Sequence, residues 1–469
     1  MNIENALATQ LEKVLMAADE ASALMLDLSY LESNDPNLNY VRLAVNPRNL
    51  KLSADTRYKA KVLEEKLNNE ILNGNGAFSH RFYFQTLEDQ KEPFLIIKED
   101  DSSTYSYSAD YLSSRLGYHQ IFMTFRELFE YVSFQGCIDL VRKKHTESGF
   151  EAALFRSKSD YFISSDFHIK ALVSTLQLQG YNWFLKYHDI RIEECVEFMI
   201  NEALPELFKV DGLRFIPSTE SSSDVEKNRH LAAELESILK QYALYAKNGK
   251  IDHERLSFES SQLHIGEVPS RLEKKYAYLC DDGVKSVMNS FFYKHSFLNS
   301  FEKSESKAPN FYSLLRTKEI KLEDYRDFEK TIIQELINDR YLEISQNGVI
   351  KIANNNILTI LGIFYHQDVI SYWHLPSQFK HEVDKLETQG KARFESKLFT
   401  IAEREYLNYQ LNKKFTNGLD LRNKYAHGSN SPSKQSHQSD YFKFLKLIVL
   451  ITYKILDDLA LQQIAKSSN

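Results

Sequence analysis

A chain of 469 residues with only 15 glycines and 9 prolines has few places at which a helix must stop. Gly and Pro are the strongest local punctuators, and an all-β fold needs turn signals roughly every 8–12 residues. Their scarcity points to a mainly helical protein, and the length to roughly two to four domains. Apolar residues make up 43% of the chain and charged residues 26%, enough to build sizeable cores. The longest strongly apolar run, Leu447 to Tyr453, lies between Lys446 and Lys454. It falls far short of the roughly 20 residues that span a bilayer. The N-terminal stretch has no basic start before an apolar run, so neither a secretory leader nor a membrane partner is expected. Cys137, Cys195 and Cys280 stand too far apart for a disulfide framework or a CxxC metal site, which fits a reducing cytoplasm.

Helical spacing organises most of the chain. Residues 1 to about 35 read as an amphipathic helix through Leu11, Val14, Leu15, Ala18, Ala21 and Met25. Residues 55–73 read as a second helix, stopped by Gly74-Asn75-Gly76. Phe78 to Ile97 mixes aromatics and β-formers without deciding between strand and loop, and the polar Asp100 to Ser108 reads as loop. Helices are expected at 124–133, 168–179, 190–203 and 226–247. The Ser-rich stretch Pro217 to Asp224 before the last of these reads as a linker and a domain boundary. From Asp327 to Tyr341 a helical pattern runs into Leu342–Ile344, an Asn347-Gly348 turn and Val349–Ile352, a helix followed by a β-hairpin. Such a pair can end a winged-helix unit or simply pack two helical domains together. The acidic helix before the hairpin favours packing. Three helices follow, at 357–372, 378–387 and 392–414, and then a closing helix from Tyr441 to about Ile464. No internal repeat is evident. The expected fold is therefore mainly α and multi-domain: a helical N-terminal region over 1–216, a helical middle over 226–320, the helix-plus-hairpin element over 321–356, and a helical C-terminal domain over 357–469.

The net charge of −7 is unevenly spread. From Lys391 onward there are 13 Lys and Arg against 7 Asp and Glu, which leaves 45 against 58 before it. A basic C-terminal piece on an acidic body is the asymmetry expected when polyanion contact is confined to one end. On the closing helix Lys443, Lys446, Lys454 and Asp457 fall within an arc of about 80°, a narrow polar stripe expected to face solvent.

The chemistry of that end lies in Phe415 to Gly428, FTNGLDLRNKYAHG. Arg422 never loses its charge and can grip two phosphate oxygens. His427, five residues on, titrates near neutrality and suits proton transfer. Asn423 carries both a donor and an acceptor, and on a helix it shares a face with His427. Arg422 and His427 lie about 140° apart on one straight helix, so a single helix does not fully converge them. Gly428 fits a helix C-cap. Lys424, Lys443 and Lys446 are candidates for phosphate contact. His437, in the polar stretch Ser429–Ser439, is expected in a solvated loop. No metal site or cofactor is expected. There is no HExxH, Gly249-Lys250 and Gly390-Lys391 lack the glycine of a phosphate loop, and Asp166-x-His168 and His188-Asp189 are isolated.

The string Phe-x-x-Gly-x-x-Leu-Arg-Asn-x-x-Ala-His-Gly resembles the signature of HEPN domains, helical modules many of which are metal-independent endoribonucleases. The resemblance covers about the last 110 residues, 357–469. It implies a homodimer in which Arg422, Asn423 and His427 of paired modules line one cleft. It also implies RNA cleavage by 2′-hydroxyl attack, leaving a 2′,3′-cyclic phosphate and a 5′-hydroxyl. Relatives of this kind serve as toxins or anti-phage effectors, which makes the N-terminal region the expected regulator, triggered by a ligand or a phage protein. Non-catalytic HEPN modules also exist, and dimerisation with nucleotide or RNA binding is the alternative.

Overall fold

The computed structural model describes residues 52–73, 80–147, 159–258, 264–300, 308–426 and 433–468, with 31, 41, 44 and 45 singly. All but residue 31 of the amphipathic helix expected over 1–35, the Gly74-Asn75-Gly76 stop expected after the second helix, His427 and Gly428 lie outside the described residues. The first long helix, α1 (Ala54–Asn73), forms where expected. The ambiguous stretch after it is a small sheet of β1 (Arg81–Leu87), β2 (Phe94–Lys98) and β3 (Ser102–Ser108), in the order β1-β3-β2. β3, expected as loop, is its central strand, parallel to β1 and antiparallel to β2. Its serines hid it. Ser103 and Ser106 are buried, and their hydroxyls bond His80 and Gln90, so a polar strand costs little here.

The next elements are α2 (Ala109–Ser113), α3 (Tyr118–Glu127) and α4 (Ser165–Tyr187). α5 (Ile192–Phe198) passes through a wide turn at Met199–Ala203 into α6 (Leu204–Phe208). α7 (Asp224–Asn248) begins on a Ser223 capping box closed by Glu226. The Ser-rich linker before it does not divide the core. Buried Glu193 of α5 accepts hydrogen bonds from both the amide and the hydroxyl of Ser218. One hydrophobic core gathers residues between Tyr107 and Val268 with residues between Leu398 and Leu459. Its axis is α16 (Lys434–Ser468), about 50 Å long and longer than expected at both ends. α7, α14 (Ile401–Leu411) and the six-residue α15 (Leu421–Ala426) pack around it.

Between these halves sits a second core, from Ala277 to Ala392, so a division at 357 does not follow the packing either. α8 (His253–Phe258) follows α7 on the first core. The elements of the second core are β4 (Tyr276–Leu279), α9 (Asp282–Phe292), α10 (Phe311–Thr317), α11 (Asp327–Asn338) and the hairpin β5 (Leu342–Ile344) with β6 (Ile350–Ile352). α12 (Asn355–Gln367), β7 (Ile370–Ser371), α13 (Ser377–Thr388) and β8 (Ala392–Glu395) follow. The expected helix over 392–414 is therefore a strand and a shorter helix.

This second core is built on a duplication. α11 spans 327–338 and α13 spans 377–388, an offset of 50 at both ends, and the single 3-10 turns before them, Leu322–Asp324 and Tyr372–His374, keep the same offset. Buried Ile320, Ile333, Leu336 and Leu342 correspond to buried Ile370, Val383, Leu386 and Ala392. The left-handed residue after each helix corresponds too, Arg340 to Gly390. Each half has the helix, extended segment, helix and strand order of a winged helix, the extended segment being a single bridge at Lys321 in the first half and β7 in the second. The third strand differs. In the first half β6 pairs with β5, Leu342 opposite Ile352 and Ile344 opposite Ile350, and Val349 bridges Lys321. In the second half β4 takes that place, Ala392 opposite Leu279, Phe394 opposite Ala277, and Ser371 opposite Tyr276. Each β4 position stands in for the position 73 residues later, Tyr276 for the bridging Val349 and Ala277 to Leu279 for Ile350 to Ile352 of β6.

An ionic seam joins the two cores. On α16, buried Lys454 Nζ bonds buried Glu403 at 3.0 Å, the Gly136 carbonyl at 2.7 Å and the Tyr276 hydroxyl at 2.8 Å. Asp458 pairs with buried Lys275, and it also accepts from the Tyr242 and Ser270 hydroxyls. Asp457 takes the His374 ring at 2.7 Å. Of the polar stripe of the closing helix, Lys446, Lys454 and Asp457 thus face the interior, and only Lys443 keeps partial exposure to solvent. Glu403 also receives the amides of Ile138 and Thr400. Removing it strands an ammonium and two amides in the core. Glu403→Ala is therefore expected to lower the unfolding free energy by about 3–5 kcal/mol in urea denaturation, and the pair Glu403→Leu/Lys454→Met to recover most of that loss.

Candidate functional site

The motif helix α15 is delivered by a tight turn. A Cβ on Gly418 would stand 3.0 Å from the carbonyl oxygens of Asn412 and Phe415, so any side chain there crowds the turn. Asn417 pairs its side-chain amide with both backbone groups of Tyr161, at 2.9 and 2.8 Å, which pins the turn to the N-terminal half. Asp420 then takes a left-handed φ of +50°, its carbonyl receives the Lys424 amide, and the helix starts.

From this short helix each motif side chain reaches a different carboxylate. Arg422 pairs with Glu236 of α7 at 2.5 Å, and the other oxygen of Glu236 is held by Lys240 at 3.0 Å. Arg422 stays about one quarter exposed. Asn423 turns back to Asp420 Oδ1 at 2.7 Å, and Lys413 stands 3.5 Å from the other Asp420 oxygen. Lys424 bonds Asp440 on the first turns of α16, and Lys443 holds the other oxygen of that carboxylate at 2.8 Å. Tyr425 points inward, and its hydroxyl donates to Asp440 at 2.8 Å while lying 2.9 Å from His437 Nδ1. Its one proton goes to the carboxylate, so the imidazole Nδ1–H donates to the phenol oxygen.

The structure thus brings Arg422, Asn423, Lys424 and Lys443 to one region of α7, α15 and α16. His427 is the first residue after α15, outside the described residues. His437 is not a solvated loop residue. It lies inside α16, buried, and its carbonyl accepts from the side chain of buried Asn228. Burial opposes ionisation of Asp440, yet the Lys443 and Lys424 ammonium groups hold its carboxyl below the usual range. Burial and the same carboxylate push the Tyr425 hydroxyl up. Among the described residues no cluster of three or more His, Cys, Asp or Glu could hold a metal ion.

Two residues central to this arrangement, Glu236 and Asp440, escaped the sequence reading. Asp440 left a trace, three positions after His437 and three before Lys443 on one helical face. Glu236 left none, because only the fold brings α7 to α15.

Lys446, expected at a phosphate, is not available to one. It is 6% exposed and its ammonium donates to the hydroxyls of Ser174 at 3.0 Å and Thr175 at 2.9 Å, facing α4. Burial, then the neighbouring Lys443, brings its pKa down to about 7. The unfolded chain, with an ordinary lysine, binds more protons than the folded one from about pH 7 up to about pH 10.4, so this group makes stability rise with pH across that window. Lys446→Met is expected to stabilise the protein by about 1–3 kcal/mol near pH 7, a gain that shrinks towards pH 10 in paired urea titrations.

Comparison with known protein families, with curated proteins and with solved structures finds no match to this chain.

Proposed function

We propose that the protein is a metal-independent endoribonuclease whose site is built from Arg422, Asn423 and His427. The observation that supports this reading most is the partly exposed Arg422 guanidinium, held by Glu236 at the rim of a short helix that leads directly into His427. A fixed guanidinium suits the charge that grows on phosphorus when a 2′-hydroxyl attacks, and the imidazole of His427 suits the two proton transfers. Lys424 and Lys443 at the same rim suit the flanking phosphates. Since one straight helix does not converge Arg422 and His427, the site is composite, formed by two copies of the chain. RNA is the substrate, and a role as a toxin or anti-phage effector fits that chemistry, with the N-terminal half as regulator. In favour of the second reading, a non-catalytic RNA-binding dimer, every described cation of the motif already has a carboxylate partner.

Purified full-length protein is expected to cut single-stranded RNA in EDTA and to leave 2′,3′-cyclic phosphate ends. Arg422→Ala and His427→Ala are each expected to lower the rate by about 100-fold or more. Cutting that survives both substitutions overturns this site, and RNA binding without cutting supports the second reading. A mixture of the Arg422→Ala and His427→Ala proteins tests the composite site. Mixed dimers keep one cleft with both native residues if each cleft draws Arg422 from one copy and His427 from the other, so activity should return on mixing.

A further inference from the structure

The six residues of α15 are too few to hold a helix by backbone bonding alone, since a single turn is an unfavourable nucleus. Something outside the helix must set where Arg422 and its neighbours point. Glu236 reaches only the exposed tip of Arg422. The buried anchor is Asp440, 2% exposed, at the first turns of the most deeply packed helix of the protein. Three donors converge on its two oxygens: the Tyr425 hydroxyl and the Lys424 ammonium on Oδ2, and the Lys443 ammonium on Oδ1. Two of the three come from α15 itself. Behind Tyr425, His437 donates to the phenol oxygen, and Asn228 of α7 grips the His437 backbone, so the anchor is tied to both neighbouring helices.

We infer that Asp440 is a positioning residue for the nuclease site, setting α15 through Tyr425 while restraining Lys424 and Lys443 from full contact with RNA. The inference rests on the ribonuclease reading and deepens it. The two halves of this role separate by substitution. Asp440→Asn keeps the shape and one acceptor but removes the charge that holds two lysines. Tyr425→Phe removes only the hydroxyl that ties α15 to α16 and leaves both lysine pairs in place.

The experiment measures kcat and KM for single-stranded RNA cleavage in EDTA, with the salt dependence of RNA binding, for the full-length wild type, Asp440→Asn and Tyr425→Phe. Urea denaturation of each reports the fold. Asp440→Asn is expected to lose about tenfold or more in kcat while KM falls. Its log–log salt slope should steepen by about 1.4, two further phosphate contacts at about 0.7 each for a single strand. Tyr425→Phe is expected to lose kcat to a similar extent with KM and salt slope unchanged. A purely structural role predicts parallel loss of kcat, binding and stability in both variants, and that result overturns the inference. So does an unchanged kcat in both, while wild-type cutting leaves the ribonuclease reading standing. Absence of cutting by the wild type, with its binding intact, overturns the reading and the inference together.

Discussion

Lysine–carboxylate pairs buried along the last helix are the interaction on which the rest of the structure depends. Taking Lys454 and Glu403 out of water costs several kcal/mol per ion, and their attraction alone does not reliably offset it. The pair is tolerated because its remaining capacity is used. Lys454 also bonds the Gly136 carbonyl and the Tyr276 hydroxyl, while Glu403 takes two backbone amides. Asp458 meets the same condition with Lys275 and the Tyr242 hydroxyl. Such a set of partners is satisfied in one register only. A slip of α16 against β4 or against the Ser133–Gly136 turn would leave charges unpaired in a dry interior, where apolar packing alone would forgive it.

The same seam accounts for the borrowed strand in the duplicated core. In the second half, the residues equivalent to Val349 and β6 are Phe399–Ala402, fifty positions later. There the chain does something else. Thr400 caps α14, and its capping box is closed by Glu403, the residue that meets Lys454. A third strand at this point would carry Glu403 away from the seam. β4 fills the vacancy in the sheet instead, and Lys275 just before it pairs with Asp458. One upstream segment thus completes the second sheet and half of the ionic seam, so the second winged half and the helical bundle are not separable.

What could be read from the chain beforehand follows from which forces act locally. Many helices were legible from a repeating apolar face, as in α7 with its Ser223 cap, and the Asn347-Gly348 hairpin announced itself by turn chemistry. The helix expected at 124–133, however, ends at Glu127, and the one expected at 392–414 begins as a strand. β3 was not legible, because Ser and Thr read as loop until neighbouring hydroxyl partners are known. The duplication was hidden for a related reason. Between 318–344 and 368–394 only Ile320/Ile370, Lys330/Lys380 and Leu336/Leu386 are identical, and what the halves share is burial pattern and backbone turn. The lysines of α16 were misread because periodicity shows that residues share a face but not what that face meets. Lys446 met two hydroxyls and Lys454 a carboxylate, both contributed by segments distant in sequence.

The same limit bears on the motif. The string around Arg422 is local and was visible, together with the excess of basic residues after Lys391. What that excess does electrostatically was not. Asp420, Asp440 and Glu236 each stand against a cation of this region, and Glu236 comes from the acidic body of the chain. The local +6 therefore does not amount to an open basic groove. Around the motif it is a set of cations, Lys413, Arg422, Lys424 and Lys443, each paired with an acid. Fixed guanidinium and ammonium groups are what stabilisation of a developing phosphorane charge requires, because groups already oriented need no reorganisation when that charge appears. In the ribonuclease proposed above, carboxylates beside them would weaken ground-state grip on RNA while fixing geometry, and binding energy withheld from the ground state can be expressed in the transition state. Acid partners at each described cation of the motif are thus compatible with catalysis in a way that a bare cation count would not suggest.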